Sequence, residues 1–433
     1  MNMIIHDDGH SNVVGTDALI SFDAIKKKNS QIDKNVFDYV FSNPPFGATI
    51  KQKEVKYLGL YDVAMDKNNE TKKAQKSEIL FIERCIDLAK LKTGKIAIVL
   101  PAGVLTNTSL QHLRDYILKR CELLASVSLP ESAFGHYGAG IKASVLFLRK
   151  YGKQEKPKND YHIFMGVARH VGIDATGRAD ENELLNGKNS DIYNQWQKYI
   201  SNKPVYKRTD NCYKVRLSDI NKEGPFNATR YVWKPKFSKK IGRISAIADI
   251  ENKKIKPSSP DYEDETFALV RMDELPNNPV AIDNIIFCQG KEIEGGLKIV
   301  KPGDVLLARL GPSMMNRKIV VVPTVKEKVN RIIASPEFIV IRPRNLQDSF
   351  YISGVLRTDL MLKYMYSKTR GGTPSRYRLS EDDFAKLDFP LADEKNRFAK
   401  AKAFQKALTK FDLIQKKAEK ELIESHTIIE MEL

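Results

Sequence analysis

Between residues 36 and 129 the chain alternates strand-like and helix-like apolar patterns. That alternation constrains the fold more than any other feature. Val36 to Ser42 reads as a buried strand. Ser77 reads as the N-cap of a helix through Lys92, with Ile79, Phe81, Ile82, Cys85, Ile86 and Leu88 on or near one face. Gly94 stops it. A strand over Lys95–Leu100, a helix over Ser109–Arg120 and a strand over Leu123–Leu129 follow. Such alternation argues for an α/β sheet with helices on its faces.

The first strand runs into Asn43-Pro44-Pro45-Phe46, and Gly47 marks a loop. A polar amide, two rigid prolines and an aromatic at a strand end suit a pocket rim better than a core. Asn43 offers a carbonyl oxygen and an NH2 group. Pro44 fixes φ and has no N–H, so its surroundings present carbonyl oxygens in a set direction. Residues before proline favour extended backbone, which holds Asn43 and Pro44 out of helix. Two acceptors beside the flat face of Phe46 match an exocyclic amino group and the ring that bears it. Enzymes that modify a base flip it into a pocket of this kind. A Pro-Pro turn with a phenylalanine plug is the purely structural alternative.

The string FDYVFSNPPFG, residues 37–47, resembles the amino-methyltransferase motif of N6-adenine DNA methyltransferases of the type I restriction-modification M-subunit kind. Other segments extend the resemblance over roughly residues 1–180. Met1 to His6 is similar to the stretch after the family's second cofactor motif, and Gly15-Thr16-Asp17-Ala18-Leu19 to the next one. Gly94 to Leu105 is similar to a core strand and its loop. Leu129 to Phe134, followed by Ala143 to Leu148, resembles the late hairpin, and His170 to Arg178 a signature after the catalytic core. The resemblance implies a class I, Rossmann-like domain that transfers a methyl group from S-adenosylmethionine to N6 of adenine in double-stranded DNA. It implies catalytic roles for Asn43, Pro44, Pro45 and Phe46, and a cofactor contact for Asp17.

The family's glycine-rich turn, D-P-A-C-G-S-G, does not occur in the sequence. Gly135 to Gly140 is glycine-rich but falls on the late hairpin. The expectation is an incomplete doubly wound sheet, entered after about two strands, that binds S-adenosylmethionine weakly or not at all. Contacts at the carboxyl ends of adjacent strands hold such cofactors.

The chain has 433 residues and a net charge of +17. The length suits two or three domains, and the charge suits a polyanion such as DNA. Surface lysine serving solubility would give the same balance. Tyr57 to Lys76 is polar, rich in lysine and without clear period, and reads as a mobile loop that orders over DNA. Cys85, Cys121, Cys212 and Cys288 form no C-x-x-C pair, so neither a zinc site nor a disulfide framework is expected, and a reduced cytoplasm is the natural compartment. His6-Asp7-Asp8-Gly9-His10 has ligand types, but Gly9 spoils a helical pair, and no metal is expected. No membrane partner is expected, because no apolar run reaches spanning length.

From about residue 241 the texture changes to short β-branched strands, including Val305–Arg309 after Lys301-Pro302-Gly303-Asp304, and Phe338–Pro343. Ser349 to Tyr366 reads as one helix. Lys301 to Leu306, Gly371-Gly372-Thr373-Pro374, Leu379 to Phe384 and Phe389-Pro390-Leu391 together resemble the target-recognition domain of type I specificity subunits. The loop holding Lys368, Arg370, Arg376, Tyr377 and Arg378 has no acid, and arginines pair with phosphates or guanine. It reads as the DNA-binding element. Asp393 to about His426 reads as one long helix with Phe398, Ala401, Phe404, Leu408, Phe411, Ile414, Ala418 and Leu422 near a heptad seam. The seam packs either on its own domain or on a second copy or restriction-modification subunit.

The sequence therefore predicts an α/β methyltransferase part over residues 1–180 and a connection over 181–240. A strand-rich α+β target-recognition domain over 241–392 and a C-terminal helix over 393–433 follow. The function expected is adenine-specific DNA methylation. A non-catalytic, sequence-specific DNA-binding module with a remnant methyltransferase half is the alternative.

Overall fold

The computed structural model describes residues 13–135, 141–174, 176–187, 191–203, 211–232, 235, 237, 240–282, 285–371 and 376–432. Met1 to His6, the His6–His10 cluster, most of the Gly135–Gly140 run and Gly372-Thr373-Pro374 lie outside the described residues, as does Ala175. The chain forms two compact units that meet in sequence between residues 233 and 234.

The first unit is built on a six-stranded sheet. In chain order its strands are β1 (Tyr39–Ser42), β2 (Lys95–Pro101), β3 (Cys121–Ser128), β4 (Ala143–Lys150), β5 (His162–Val167) and β6 (Cys212–Arg216). They lie side by side as β1-β2-β4-β3-β5-β6. β1 runs parallel to β2, and β3 parallel to β5, while β4 is antiparallel to both β2 and β3. Helix α1 (Ser77–Leu88) crosses from β1 to β2, and α2 (Gln111–Arg120) leads to β3.

The pleat explains the core. Ile96, Ile98 and Leu100 of β2 and Leu146 and Leu148 of β4 alternate onto one face, where Leu80, Ile82, Cys85 and Ile86 of α1 and Leu113 and Ile117 of α2 bury them. On the other face α3 (Asp191–Ile200) sets Trp196 against Phe147, with ring centroids 6.3 Å apart, and against Phe164, at 5.5 Å. Residues 181–240, read from the sequence as a connection, thus include a covering helix and the sixth strand. Their amphipathic helix is short and polar on one side, which hides it among linker-like residues.

Two other expectations change. β1 is an edge strand: among the described strands it pairs only with β2, and Tyr39 and Phe41 are 61% and 79% exposed. Only Val40 of β1 is buried, so the run is half-buried rather than buried. Residues 57–64, the first part of the stretch read as a loop over 57–76, are packed rather than loose. Leu58, Tyr61, Val63 and Ala64 are buried on two single turns, Leu58–Leu60 and Asp62–Ala64. The Glu83 carboxylate accepts the N–H groups of Asp62 and Val63 at 3.1 and 3.0 Å, which fixes the second turn. Two single turns are too short to show a helical period in the sequence.

The second unit holds a four-stranded and a five-stranded sheet. Its strands continue as β7 (Ala248–Glu251), β8 (Thr266–Val270), β9 (Ile286–Gln289), β10 (Leu297–Val300), β11 (Val305–Ala308), β12 (Ile319–Val321), β13 (Arg331–Ala334) and β14 (Phe338–Pro343). The first sheet has the order β7-β14-β11-β12; the second runs from Lys254–Ile255 through β10-β13-β8-β9. Asp304 shows why the Pro-Gly-Asp turn feeds β11. Gly303 takes φ +88°, and the buried Asp304 carboxylate receives two bonds from Arg342 of β14, at 2.9 and 2.7 Å.

The single helix expected over Ser349–Tyr366 is two, α4 (Ser349–Leu356) and α5 (Asp359–Ser367). Thr358 breaks it by capping α5, its hydroxyl accepting the Met361 N–H. The last helix, α6, runs over Glu394–Glu432, 39 residues or about 58 Å. Its first turns pack on α4, where Gly354 leaves room for the Phe404 ring: a Cβ there would lie 3.1 Å from it. Further along, Phe411, Leu413 and Ile414 are 52%, 70% and 57% exposed. No described helix is long and apolar enough to cross a membrane.

Candidate base-binding site

Asn43 stands where β1 ends, at the carboxyl edge of the sheet, the side on which open α/β sheets bind ligands. Its side chain is exposed and makes no hydrogen bond to a described residue. Pro44 is buried and Pro45 exposed. Phe46 is half-buried and meets Phe134 edge to face, with centroids 5.5 Å apart and planes at 64°. The structure thus leaves the Asn43 amide open and sets an aromatic pair beside it. Phe134 comes from Ser132–Gly135, just past β3, and the two loops meet because both follow strands of one sheet. The sequence flags Phe134 only as part of a hairpin. That two aromatics end loops on the same side of the sheet was the available signal.

Asp17 is exposed and lies before β1 in sequence. Its Oδ1 accepts the Leu19 N–H at 2.9 Å and its Oδ2 the Tyr57 hydroxyl at 2.8 Å. Burial, and then the hydrogen bond to Asp17, push the Tyr57 phenol well above its ordinary range, so it stays a donor. Each carboxylate oxygen keeps a second lone pair. Asp17 therefore keeps one acceptor position on each oxygen. A glycine-rich cradle for a cofactor's methionine end is absent from the sequence. Among the described residues no acidic, histidine and cysteine cluster has the makings of a metal site.

The second expected element, residues 368–378, is arranged differently. Lys368 is 8% exposed, with Nζ 5.8 Å from the Tyr364 ring centre. Arg370 makes a two-pronged pair with Asp383, at 2.8 and 3.0 Å, and Asp383 is 4% exposed. Arg370 and Arg378 also exchange both backbone hydrogen bonds, at 2.9 Å each. Tyr377 is 5% exposed and packs edge-on against Tyr366. Arg378 pairs with Glu337 at 3.1 Å, and Arg376 is exposed. Lys368, Arg370 and Tyr377 are thus built into the second unit, and the outward-facing set shrinks to Arg376 and Arg378. The acidic run Glu381-Asp382-Asp383, a few residues on, was the signal that some of this charge is used internally.

A comparison with protein families matches residues 1–240 to the model for N-6 DNA Methylase. None of the curated proteins matches the chain. Among solved structures, the modification subunit of a putative type I restriction enzyme from Vibrio vulnificus YJ016 is similar, at 19% identity and TM-score 0.36, over 54% of this chain and 44% of that one. The type I methyltransferase subunit from Streptococcus thermophilus matches at 20% identity and TM-score 0.38, over 53% and 44%. The type IIG restriction endonuclease BpuSI matches at 11% identity and TM-score 0.40, over 86% of this chain and 49% of its own. The chain spans less than half the length of each of these three. With its amino-terminal 240 residues matched, more than half of the chain, it belongs to the N-6 DNA methylase family.

Proposed function

We propose that the first unit is the adenine-binding side of an S-adenosylmethionine-dependent DNA methyltransferase, acting on N6 of adenine in double-stranded DNA. Its setting would be a restriction-modification system in the cytoplasm. The observation that supports this most is the open Asn43 amide at the carboxyl end of β1, next to Phe46 and Phe134.

In this reading the Asn43 carbonyl oxygen and the Pro44 carbonyl accept hydrogen bonds from the amino group of a flipped adenine. Both bonds raise electron density on nitrogen and turn its lone pair out of conjugation with the ring. Phe46 stacks on the base, and the edge-on Phe134 holds Phe46 at its angle. When bound, S-adenosylmethionine supplies an electrophilic methyl group. The amino proton leaves after nitrogen has gained its fourth bond, so no side chain has to remove it beforehand. Asp17 would contact the cofactor's adenine end.

Residues 1–180 would form the catalytic core, and 181–240 would complete its unit with the covering helix and the sixth strand. Residues 241–392 would choose the DNA site, with Arg376 and Arg378 on phosphate or guanine. The exposed Phe411, Leu413 and Ile414 support pairing of the 393–433 helix with a second copy or subunit.

The test, in a reconstituted preparation that methylates DNA, is transfer of an isotope-labelled methyl group to duplex DNA, with N6-methyladenine read by mass spectrometry. Product that disappears in Asn43→Ala supports the reading; undiminished product in that variant overturns it. Calorimetric titration of S-adenosylmethionine into this chain alone is expected to give weak binding or none, and tight binding would overturn that part.

A further inference from the structure

The backbone behind Asn43 is tied down from elsewhere, and the ties come from three consecutive residues. Pro44 and Pro45 have no N–H, so this stretch cannot anchor itself with its own donors. The Pro45 carbonyl and the polar groups just after it pair instead with Lys76, Ser77 and Glu78. The Ser77 hydroxyl donates to the Pro45 carbonyl at 2.8 Å. The Glu78 carboxylate accepts the Gly47 N–H at 3.3 Å. Lys76 Nζ donates to the Gly47 carbonyl and to the Thr49 hydroxyl, both at 2.8 Å. The Ser77 N–H bonds the Ala48 carbonyl at 3.0 Å.

These groups have no comparable task in their own helix. Ser77 is not the N-cap expected from the sequence. Lys76 holds that place, and no side chain caps the helix there. The Ser77 hydroxyl is spent across the loop instead. Ser77 is 1% and Glu78 5% exposed. A buried carboxylate is costly unless its oxygens receive bonds, and Glu78 meets the cost with Gly47 N–H, with Ser77 Oγ 3.3 Å away. Its place in the first turn of α1 favours negative charge as well. Gly47, at φ +76°, turns the chain so that its N–H and carbonyl both reach this group.

We propose that Ser77 and Glu78 are positioning residues for methyl acceptance. Through Pro45 and Gly47 they set the direction of the Asn43 amide and the Pro44 carbonyl, so that both acceptors are aligned before the base arrives. This rests on the base-binding role proposed for Asn43. Alignment within a fraction of an ångström is what such a site needs, and it comes from supporting hydrogen bonds.

The test is hydrogen–deuterium exchange on the full chain, following the Gly47 amide and, as an internal control, the amides of α1 from Leu80 to Leu88. Glu78→Ala should speed Gly47 exchange at least about tenfold, with the α1 amides still protected. Ser77→Ala should do so to a lesser degree, and Ser77→Thr should restore it. In preparations that methylate DNA, Ser77→Ala should lower kcat and leave KM for DNA unchanged, again with rescue by Ser77→Thr. Unchanged Gly47 exchange in Glu78→Ala overturns the proposal. So does loss of protection along all of α1 in both Glu78→Ala and Glu78→Gln, which would make the pair merely structural. The exchange measurement needs no turnover, so a preparation without methylation would count against the enzymatic reading alone.

Discussion

The Asn43–Phe46 loop and the Lys368–Arg378 loop solve opposite problems. In the first, the side chain is free and the backbone is bound: Asn43 is open to solvent while Lys76, Ser77 and Glu78 hold Pro45, Gly47 and Ala48 behind it. In the second, the side chains themselves are consumed. Arg370 is spent on Asp383 and Tyr377 is buried, while Arg378 faces outward and shares Glu337 at the surface. A binding group has to keep its hydrogen-bonding capacity for the ligand, so its rigidity must come from elsewhere. A structural group gets its rigidity by using that capacity up. The contrast separates two loops that look equally functional as strings of residues.

The sharpest break between them should come from truncating one residue in each. Asn43→Ala removes an exposed side chain with no described partner, so stability should stay within about 0.5 kcal/mol of the parent. Methylation in an active preparation should fall by at least about a hundredfold, the scale for losing one polar contact made to a reacting group, while DNA binding persists. Chemical denaturation beside a methyl-transfer assay separates the two effects. A stability loss with parallel loss of activity would place Asn43 with the structural loop.

Arg370→Ala should behave in the opposite way. It leaves the Asp383 carboxylate, 4% exposed, without its two-pronged partner. Removing one member of a buried pair costs about 3–5 kcal/mol. Urea denaturation of the full chain, followed by a probe in the second unit, should show it. Retained stability with weakened DNA binding would return Arg370 to the DNA-contacting set.

Much of this was legible in advance, for reasons that differ between regions. The pleat period and the helix at 77–88 follow from local spacing, and so does the place of Asn43 at a strand end. What periodicity cannot count is neighbours. The sequence of β1 predicts a buried strand, yet Phe41 is 79% exposed on the face opposite the buried Val40, and β1 pairs with only one described strand. Spacing also misses single turns too short to show a helical period, which is why Tyr61 and Ala64 read as loop and are core. Above all, a charge and its consumer can be far apart. Arg378 meets Glu337 across 41 positions, and Ser77 meets Pro45 across 32. Such partners become visible only once the sheet has brought them together.

Within the second loop, Arg376 and Arg378 give a finer test. Arg376 is exposed, whereas Arg378 is held by Glu337, a pair with side chains 44% and 30% exposed. Each phosphate contact contributes about 0.9 to the slope of log affinity against log salt. Arg376→Ala should therefore flatten the slope by about that amount, and Arg378→Ala by less. Equal effects would mean that Arg378 leaves Glu337 on binding.

The smallest effect is expected at a third loop, where His170 ties the Val171–Ile173 and Ala179–Asn182 strands together. Its Nδ1 lies 2.8 Å from Asp180 Oδ2. The Asp180 bond raises the His170 pKa above 6.5, and the same bond lowers that of Asp180 below 3.8. A raised histidine contributes stability that is complete below its unfolded pKa and lost as pH rises through its folded one. A lowered carboxylate contributes above its unfolded pKa and loses that contribution as pH falls through its folded one. The pair should thus protect the hairpin in mildly acidic solution and release it on the alkaline side of neutrality. The imidazole is 41% exposed, so the release stays local to the hairpin. Exchange protection of the amides at 171–173 and 179–182 should drop as pH rises from the mildly acidic range to the alkaline side of neutrality, and His170→Gln should abolish the difference. The ties behind Asn43 contain no histidine, so protection at Gly47 should hold over the same window. A parallel drop there would show that the two loops are held by the same kind of contact after all, and the distinction between bound backbone and bound side chain would fail.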